Sequence, residues 1–558
     1  MNPPPPSGAE EGTGTDAHRV SLSPKKRHGF WLVGLVSLLL GLGLRFHNLT
    51  TVLVGGHFYF IDADCYSRLS RVRMVLAEPT KPVRQQFFEN WPEGVRSHAT
   101  APLDYLIAGL ERLFDWGWPR GGRFGALAES PLDLAGAVVS PLLGMALVLF
   151  VWVWAARLRW NDGTRPAWWW APPLLLAASP SLVHATVFGR PDHQSLLVLL
   201  LGVALAAEQR LLQRADLRWG WAGGFCFGMA LWVSLYEPAV LLGGVVATGL
   251  CFWRPSWTNR ARLRWACALV VPVVAGVLVD GIRFVLPEAG SVELLQHWLG
   301  TVGELAGIRD LATLSAWGGH LWAVVPVGLA FAARRRDIEA RGWLLLLVLG
   351  TSLCIWQIRW APYWVLLLAL SVPVSLATVA SNRVATCAFL LAFLPFVREW
   401  RARLSPDLQT RAERHLDRSE WINARRAAER MRSENVEPFL AVWWLSPALA
   451  YWSGQPAVAG SGHEGIDGIV DSARFFLSTD PIVAREILSA RRVRTVVASD
   501  SARAVENASR ILNCTPPEVP LAERLWRPDP GPEWGLKGET NVVNFRLLRL
   551  QSAGQDVE

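Results

Sequence analysis

The sequence predicts a polytopic α-helical membrane protein of about 11–13 transmembrane helices with a C-terminal extracytoplasmic α/β domain. Three observations predict it. Charged residues make up 18% of the 558 residues, against about 25% in ordinary globular chains, and mean hydropathy is +0.24. Apolar runs such as Gly29–Arg45 and Leu344–Trp356 recur along the first 400 residues. Arginines gather in every second connection between those runs, as they do in cytoplasmic loops. Disorder, collagen and a small disulfide scaffold are excluded. The seven cysteines are scattered singly with no CxxC pair, so they read as small core residues and not as a redox or zinc framework.

Residues 1–28 are rich in Pro, Gly, Ser and Glu. They read as a disordered cytoplasmic tail. The run 29–45 follows Lys25-Lys26-Arg27 and is long enough to cross a bilayer; no small-residue cleavage site follows it, so it reads as an uncleaved first span. Further spans are expected near 133–155, 167–187, 195–208, 219–234, 238–253, 265–286, 319–333, 342–356, 360–378 and 384–398, making 29–398 one membrane domain. The alternate connections hold Arg157, Arg159 and Arg165; Arg210, Arg214 and Arg218; Arg254, Arg260, Arg262 and Arg264; and Arg334, Arg335, Arg336 and Arg341. With these inside, the long loops 46–132 and 287–318 and the less apolar region 399–558 face outside. The net charge of +8 is thus a topology signal, and no nucleic-acid partner is expected.

Ionisable groups beside membrane segments are costly and therefore informative. The outer loops hold Asp62-Ala63-Asp64-Cys65-Tyr66-Ser67-Arg68, Gly189-Arg190-Pro191-Asp192-His193-Gln194 and Thr301-Val302-Gly303-Glu304, while Arg359 begins the tenth span. An acid in an outer loop is ordinarily just solvated, so these residues carry weight only together. Carboxylates suit Mg²⁺ or Mn²⁺, which keep few protein ligands when they also grip a phosphate. Arginine suits phosphate through its planar fork.

These motifs, in this order, resemble the catalytic subunit of oligosaccharyltransferases, multispanning enzymes of the GT-C glycosyltransferase fold. Asp64 to Leu69 is similar to the family's first-loop Asp followed by aromatics. Phe188–Gln194 is similar to its second-loop Gly-x-x-Asp-x-acid segment, and Thr301–Glu304 to the Thr/Ser-x-x-Glu motif of its mobile fifth external loop. Arg359-Trp360-Ala361-Pro362-Tyr363 resembles the Arg-aromatic segment that contacts the lipid-linked phosphate. Trp443-Trp444-Leu445-Ser446-Pro447 stands where the family has Trp-Trp-Asp-Tyr-Gly. The resemblance implies transfer of a glycan from a polyprenyl phosphate or pyrophosphate to a protein side chain, usually asparagine. It implies a divalent cation, Mn²⁺ or Mg²⁺, held by Asp64, Asp192 and Glu304, with Asp62 the alternative first ligand and His193 and Gln194 as substitutes for a second-loop acid. Arg359 would bind the donor phosphate, and Trp443, Trp444, Leu445 and Ser446 would lie at the acceptor.

Two departures bear on this. Gln194 replaces the second acid of the second loop, and Leu445 replaces the Asp that receives the hydroxyl of the acceptor Ser or Thr. Leucine accepts no hydrogen bond, so a non-sequon protein, a lipid or a polysaccharide is the competing acceptor class. His98, His184 and His193 read first as hydrogen-bonded structural residues, and Glu237 as an acid reaching water from a span end. A transporter would place coupling charges near the bilayer midplane on broken helices and show internal repeats. Here the acids lie in loops and no repeat is visible.

Overall fold

The computed structural model describes residues 24–117, 130–158, 166, 168–213, 217–252, 259–282, 292–335, 337–378, 382–434 and 437–551. Most of the expected tail 1–28, and Arg159, Arg165, Arg214, Arg254 and Arg336 of the basic connections, lie outside these residues. Helix α1 (Pro24–Arg45) leads through α2 (Leu49–Val52) and a short hairpin, β1 (Leu53–Val54) with β2 (His57–Phe58), to α3 (Ala63–Ala77) and α4 (Ala101–Gly117). The bundle continues with α5 (Pro131–Ala156), α6 (Ala171–Ala178), α7 (Pro180–Ala185), α8 (His193–Gln213), α9 (Leu217–Val233), α10 (Tyr236–Cys251) and α11 (Asn259–Asp280). After α12 (Val292–Leu299) come α13 (Leu311–Gly318), α14 (Leu321–Arg334), α15 (Ile338–Trp356), α16 (Ala361–Ser375) and α17 (Asn382–Leu404).

Among the described residues, each of the eleven expected spans overlaps at least one helix. By length and composition, six described helices can cross a membrane, or seven if α13 and α14, bent by 79°, form one span. The chain is therefore an integral membrane protein. Several expected spans are shorter or broken because local chemistry stops them: Pro180 follows Ser179 and splits the 167–187 run into α6 and α7, since proline lacks the N–H that would continue the ladder. Starts are equally local. Ser130 caps α5 with Pro131 in its first turn, and Asp337 caps α15 through the N–H groups of Glu339 and Ala340, which satisfies donors that have no intrahelical partner. Of the seven cysteines only Cys65 and Cys354 are buried, so the expectation that they fill the core is corrected for the others; none of the seven is paired.

The α6 break explains a charge inside the bundle. Arg45 is fully buried, and its guanidinium donates to Thr186 Oγ1 at 2.9 Å, Gly41 O at 3.1 Å, and Ala177 O and Leu176 O at 3.3 Å. Leu176 and Ala177 lie in the last turn of α6, where carbonyls lack helical partners and the helix dipole favours a cation. Replacing Arg45 by Met keeps the hydrocarbon but orphans these oxygens. The expected cost is about 3 kcal/mol, read as a lower thermal midpoint of the detergent-purified protein, with Arg45→Lys recovering part of it.

Helix direction sorts the connections. The α8 C-terminus, where Gln209 Nε2 donates to the Glu339 carboxylate of α15 at 2.6 Å, and the end of α14, where Ala333 O accepts from Arg341 Nε at 3.2 Å, lie at one end of the bundle. The starts of α8 and α16, and the ends of α9 and α11, lie at the other; Thr100 Oγ1 bonds Val233 O at 3.4 Å and Ala101 N bonds the Asp280 carboxylate at 3.3 Å there. Helix α16, buried at every residue, is the central strut, so what it carries at its start is placed rigidly.

The chain beyond α17 packs on the acidic end. It comprises α18 (Leu408–Ser433), β3 (Phe439–Leu440), α19 (Ser446–Ser453), α20 (Ile466–Leu477), α21 (Pro481–Ala490), β4 (Thr495–Ala498), α22 (Ser501–Leu512), α23 (Leu521–Arg524), β5 (Leu536–Val542) and β6 (Phe545–Leu550). The sheet order is β3-β4-β6-β5, with β3 parallel to β4 and the other pairs antiparallel. One hydrophobic core runs from α3, α4 and α5 into α19 and this sheet. The Tyr451 hydroxyl donates to Asp133 of α5, and the Arg73 guanidinium lies 3.6 Å over the Tyr451 ring.

Candidate active site

The first long loop presents its acids through α3. Tyr59 N bonds Val52 O at 2.8 Å and Ile61 N bonds Gly189 O at 3.2 Å, which brings residue 62 to the second loop. Asp62 caps α3 by accepting from Cys65 N at 3.1 Å. The helix is pinned by Arg68 and Arg71, both paired with the buried Asp104 of α4 at 2.8 and 3.0 Å. Asp64, two residues on, lines a cleft shared with Glu89, His98, Asp192, Ser461 and Glu464. Asp64 keeps an exposed surface in this cleft, and its packing within the protein, then the adjacent Asp62 carboxylate, raise its carboxyl above the usual range.

The second loop is fastened by its backbone. Phe188 N bonds Arg45 O and Gly189 N bonds Ala137 O, both at 2.9 Å, and Ser140 Oγ donates to Arg190 O. Gly189 has φ +78°, and a Cβ there would meet Val52 Cγ1 at 2.6 Å, so only glycine permits the turn. Asp192 directly precedes α8, where the dipole favours a negative charge. Its carboxylate is 2.6 Å from His193 Nδ1. Burial opposes ionisation of Asp192, but His193, Arg190 and Arg68 outweigh it and hold the carboxyl well below the usual range.

Glu304 sits in a single 3₁₀ turn, Gly303–Leu305. That loop is stitched to the α15–α16 junction by Ile308 N to Ile355 O and Ile358 N to Ala306 O, both 2.9 Å. Glu304 and Arg359 are thus held by one pair of backbone bonds. Gln194 Nε2 donates to Glu304 Oε2 at 3.2 Å.

Arg190 stands in the middle. Its guanidinium is 3.6 Å from Asp62, 3.8 Å from Asp192 and 3.9 Å from Glu304, and its buried Nε has no hydrogen-bond partner among the described residues. Three separate stretches therefore bring Asp62, Asp192 and Glu304 around one positive charge, with Asp64 close enough to interact with all three. Hard carboxylate oxygens converging on a cationic centre fit Mg²⁺ or Mn²⁺. The ion pairs fall on Asp62 and not on Asp64, a distinction the DAD spacing leaves open. If Arg190 balances these acids when no ion is bound, Arg190→Gln is expected to lower the thermal midpoint of chelated protein by several degrees, and Mn²⁺ to restore more of it than in the wild type; differential scanning fluorimetry with and without chelator checks this.

Arg359 is paired with Glu237, which is fully buried and also accepts from Ser234 Oγ at 2.8 Å. Glu237 is therefore not reaching water, as the sequence suggests, but fixes the arginine. The four residues expected at the acceptor divide. Trp443 Nε1 donates to Asn507 Oδ1 at 2.8 Å and its ring meets Trp298 of α12 edge-on; Trp444 lies under the Arg503 guanidinium. Leu445 is 1% exposed, and Ser446 is fully buried with its hydroxyl on Val442 O at 3.0 Å. These two side chains face the core, Leu445 at the N-cap of α19 and Ser446 as its first residue.

The fold is that of the GT-C membrane glycosyltransferases. No protein-family profile and no curated protein matches the sequence. Among solved structures, the archaeal oligosaccharyltransferase AglB from Archaeoglobus fulgidus, in complex with an inhibitory peptide and a dolichol-phosphate, superposes with a TM-score of 0.65 at 14% identity, over 96% of this chain and 75% of that one. The same oligosaccharyltransferase with zinc and sulfate gives 0.62 at 14% identity, over 88% and 71%. ArnT from Cupriavidus metallidurans bound to undecaprenyl phosphate gives 0.56 at 14% identity, over 95% and 99%.

Proposed function

We propose that the protein is a metal-dependent glycosyltransferase that moves a glycan from a polyprenyl phosphate or pyrophosphate to a protein side chain, asparagine being the first candidate. The observation that carries this is the gathering of Asp62, Asp64, Asp192 and Glu304 at one end of the bundle, with Arg359 in the turn that leads into its central helix. The acidic end is the extracytoplasmic one on the arginine pattern, with the N-terminus cytoplasmic. A divalent cation held by Asp192, Glu304 and Asp62 or Asp64 would screen the charge that develops on the leaving phosphate oxygen. Arg359, braced by Glu237, supplies a fixed positive charge for the same phosphate. Asp64 and Glu304, on two loops that face each other, orient the weakly nucleophilic acceptor against the anomeric carbon. The bond from that carbon to the phosphate oxygen breaks as the bond to the acceptor forms, the acceptor's proton passes to a carboxylate of the site or to the departing phosphate, and the polyprenyl phosphate or pyrophosphate leaves.

A second reading keeps the reaction and changes the acceptor to a non-sequon protein, a lipid or a polysaccharide. It is favoured by Leu445, apolar and buried where an accepting carboxylate is expected. Purified protein incubated with a labelled polyprenyl-linked sugar, Mn²⁺ and a peptide panel, followed by mass spectrometry of the modified residue, separates them. Label on asparagine peptides supports the first reading; label only on lipid or polysaccharide supports the second; no transfer to any acceptor contradicts both.

A further inference from the structure

In the cleft that Asp64 and Asp192 also line, the first long loop and the segment Gly460–Gly465 bring together His98, His463 and Glu464, whose ligand atoms all lie within 4.8 Å of one another. Both imidazoles turn Nδ1 toward the same carboxylate, His98 to Oε1 at 2.7 Å and His463 to Oε2 at 3.6 Å, and their rings stack with centroids 5.3 Å apart. Glu464 is itself held: the His98 backbone N–H donates to it, and a Cβ on Gly462 would meet its Oε2 at 2.6 Å. The two histidine side chains are about half exposed, at 47% and 52%, while the Glu464 side chain is 11% exposed. The anchor is buried and the two imidazoles open to the solvent.

We infer that His98, His463 and Glu464 form a second cation site, for a zinc-type transition metal, that clamps the first long loop to the C-terminal part of the chain. Two imidazoles and one carboxylate form a borderline-soft donor set that suits Zn²⁺ and leaves a fourth position open. The acids around Arg190 are a hard, all-oxygen set. Metal–ligand lengths of about 2.0–2.1 Å in a tetrahedron put ligand atoms about 3.4 Å apart, so the site closes on an ion with sub-ångström to roughly ångström movements of two exposed rings. The segment is placed for such a clamp: Gly460 lies against the Glu89 carboxylate and Gly465 against Val95 and Asn90. His98 also lies beside His193, with ring centroids 5.9 Å apart, so a bound ion would border the cleft without sharing a ligand with the other site.

The inference is independent of the glycosyl-transfer reading, because its readout is metal binding. The full-length protein, stripped with chelator, is titrated with Zn²⁺ against a chromophoric competitor. One tight equivalent is expected, weakened in His463→Ala and Glu464→Gln by more than the about 10–100-fold typical of losing an outer-shell partner, and unchanged in Asp192→Asn and Glu304→Gln. Unchanged affinity in both of the first pair, or loss in the second pair alone, overturns the assignment. X-ray absorption of zinc-loaded wild type needs no variant: outer-shell scattering from two imidazoles supports the site, and an all-oxygen shell overturns it.

Discussion

Glu304→Gln is expected to reduce metal-dependent glycan transfer by at least about 10³-fold while leaving the thermal midpoint nearly unchanged. The substitution isolates charge. The introduced amide would still offer an oxygen to Gln194 Nε2, which now donates to the Glu304 carboxylate at 3.2 Å, and the Glu304 side chain is 35% exposed, so little packing is lost. What disappears is one of the negative charges that gather a divalent ion. Losing a single preorganised electrostatic contact at a developing charge costs about 10²–10³ in rate, and losing a ligand also empties the site. Asp192→Asn is expected to match it in activity but to cost stability as well, because the carboxylate is buried and paired with His193. The first-loop acids discriminate a further point: if Asp62→Asn is more damaging than Asp64→Asn, Asp62 is the ligand and Asp64 the orienting group, and the reverse result restores Asp64 as the ligand. Initial rates at saturating Mn²⁺, with melting curves for each variant, measure all four.

Arg359→Lys is expected to lower kcat/KM for the lipid-linked donor about 10²-fold, with KM for the acceptor unchanged. A lysine keeps the charge but not the planar fork that pairs with phosphate oxygens. Arg359→Ala is the poorer test, because it leaves the buried Glu237 without its cation, at a cost of about 3–5 kcal/mol. The double variant Arg359→Ala/Glu237→Gln removes both charges and should regain stability without regaining donor use. Equal loss for donor and acceptor in the lysine variant would count against a phosphate role.

The helices were legible because bilayer burial writes itself into long apolar runs and arginine-rich connections, and the described part of each expected run is largely helical, with Pro180 breaking one run in two. The acids were legible as a group for a related reason: carboxylates are unusual where loops meet membrane helices. Pairing was not legible. Nothing near Arg190 in the chain says that it meets Asp62 and Glu304, 128 and 114 residues away by number, and Glu237 reads as a span-end acid until Arg359 is seen against it. His98 and His463 are separated by most of the chain. A signal existed in Gly460-Ser461-Gly462-His463-Glu464-Gly465, where glycines flank adjacent ligand-type residues. The Asp62 and Asp64 alternative was open because both precede aromatic positions, and the difference lies in which one caps the helix. The burial of Leu445 and Ser446 follows from their place at the start of a short helix whose eight residues are all buried, which a Trp-Trp motif does not reveal.

Manganese titration of the stripped protein, followed by electron paramagnetic resonance of the free ion, tests the central claim most directly: carboxylates from three distant stretches hold one divalent cation. The account expects one Mn²⁺ equivalent that survives in His463→Ala and is lost in both Asp192→Asn and Glu304→Gln. Manganese binding of wild-type strength in those two carboxylate variants would contradict it.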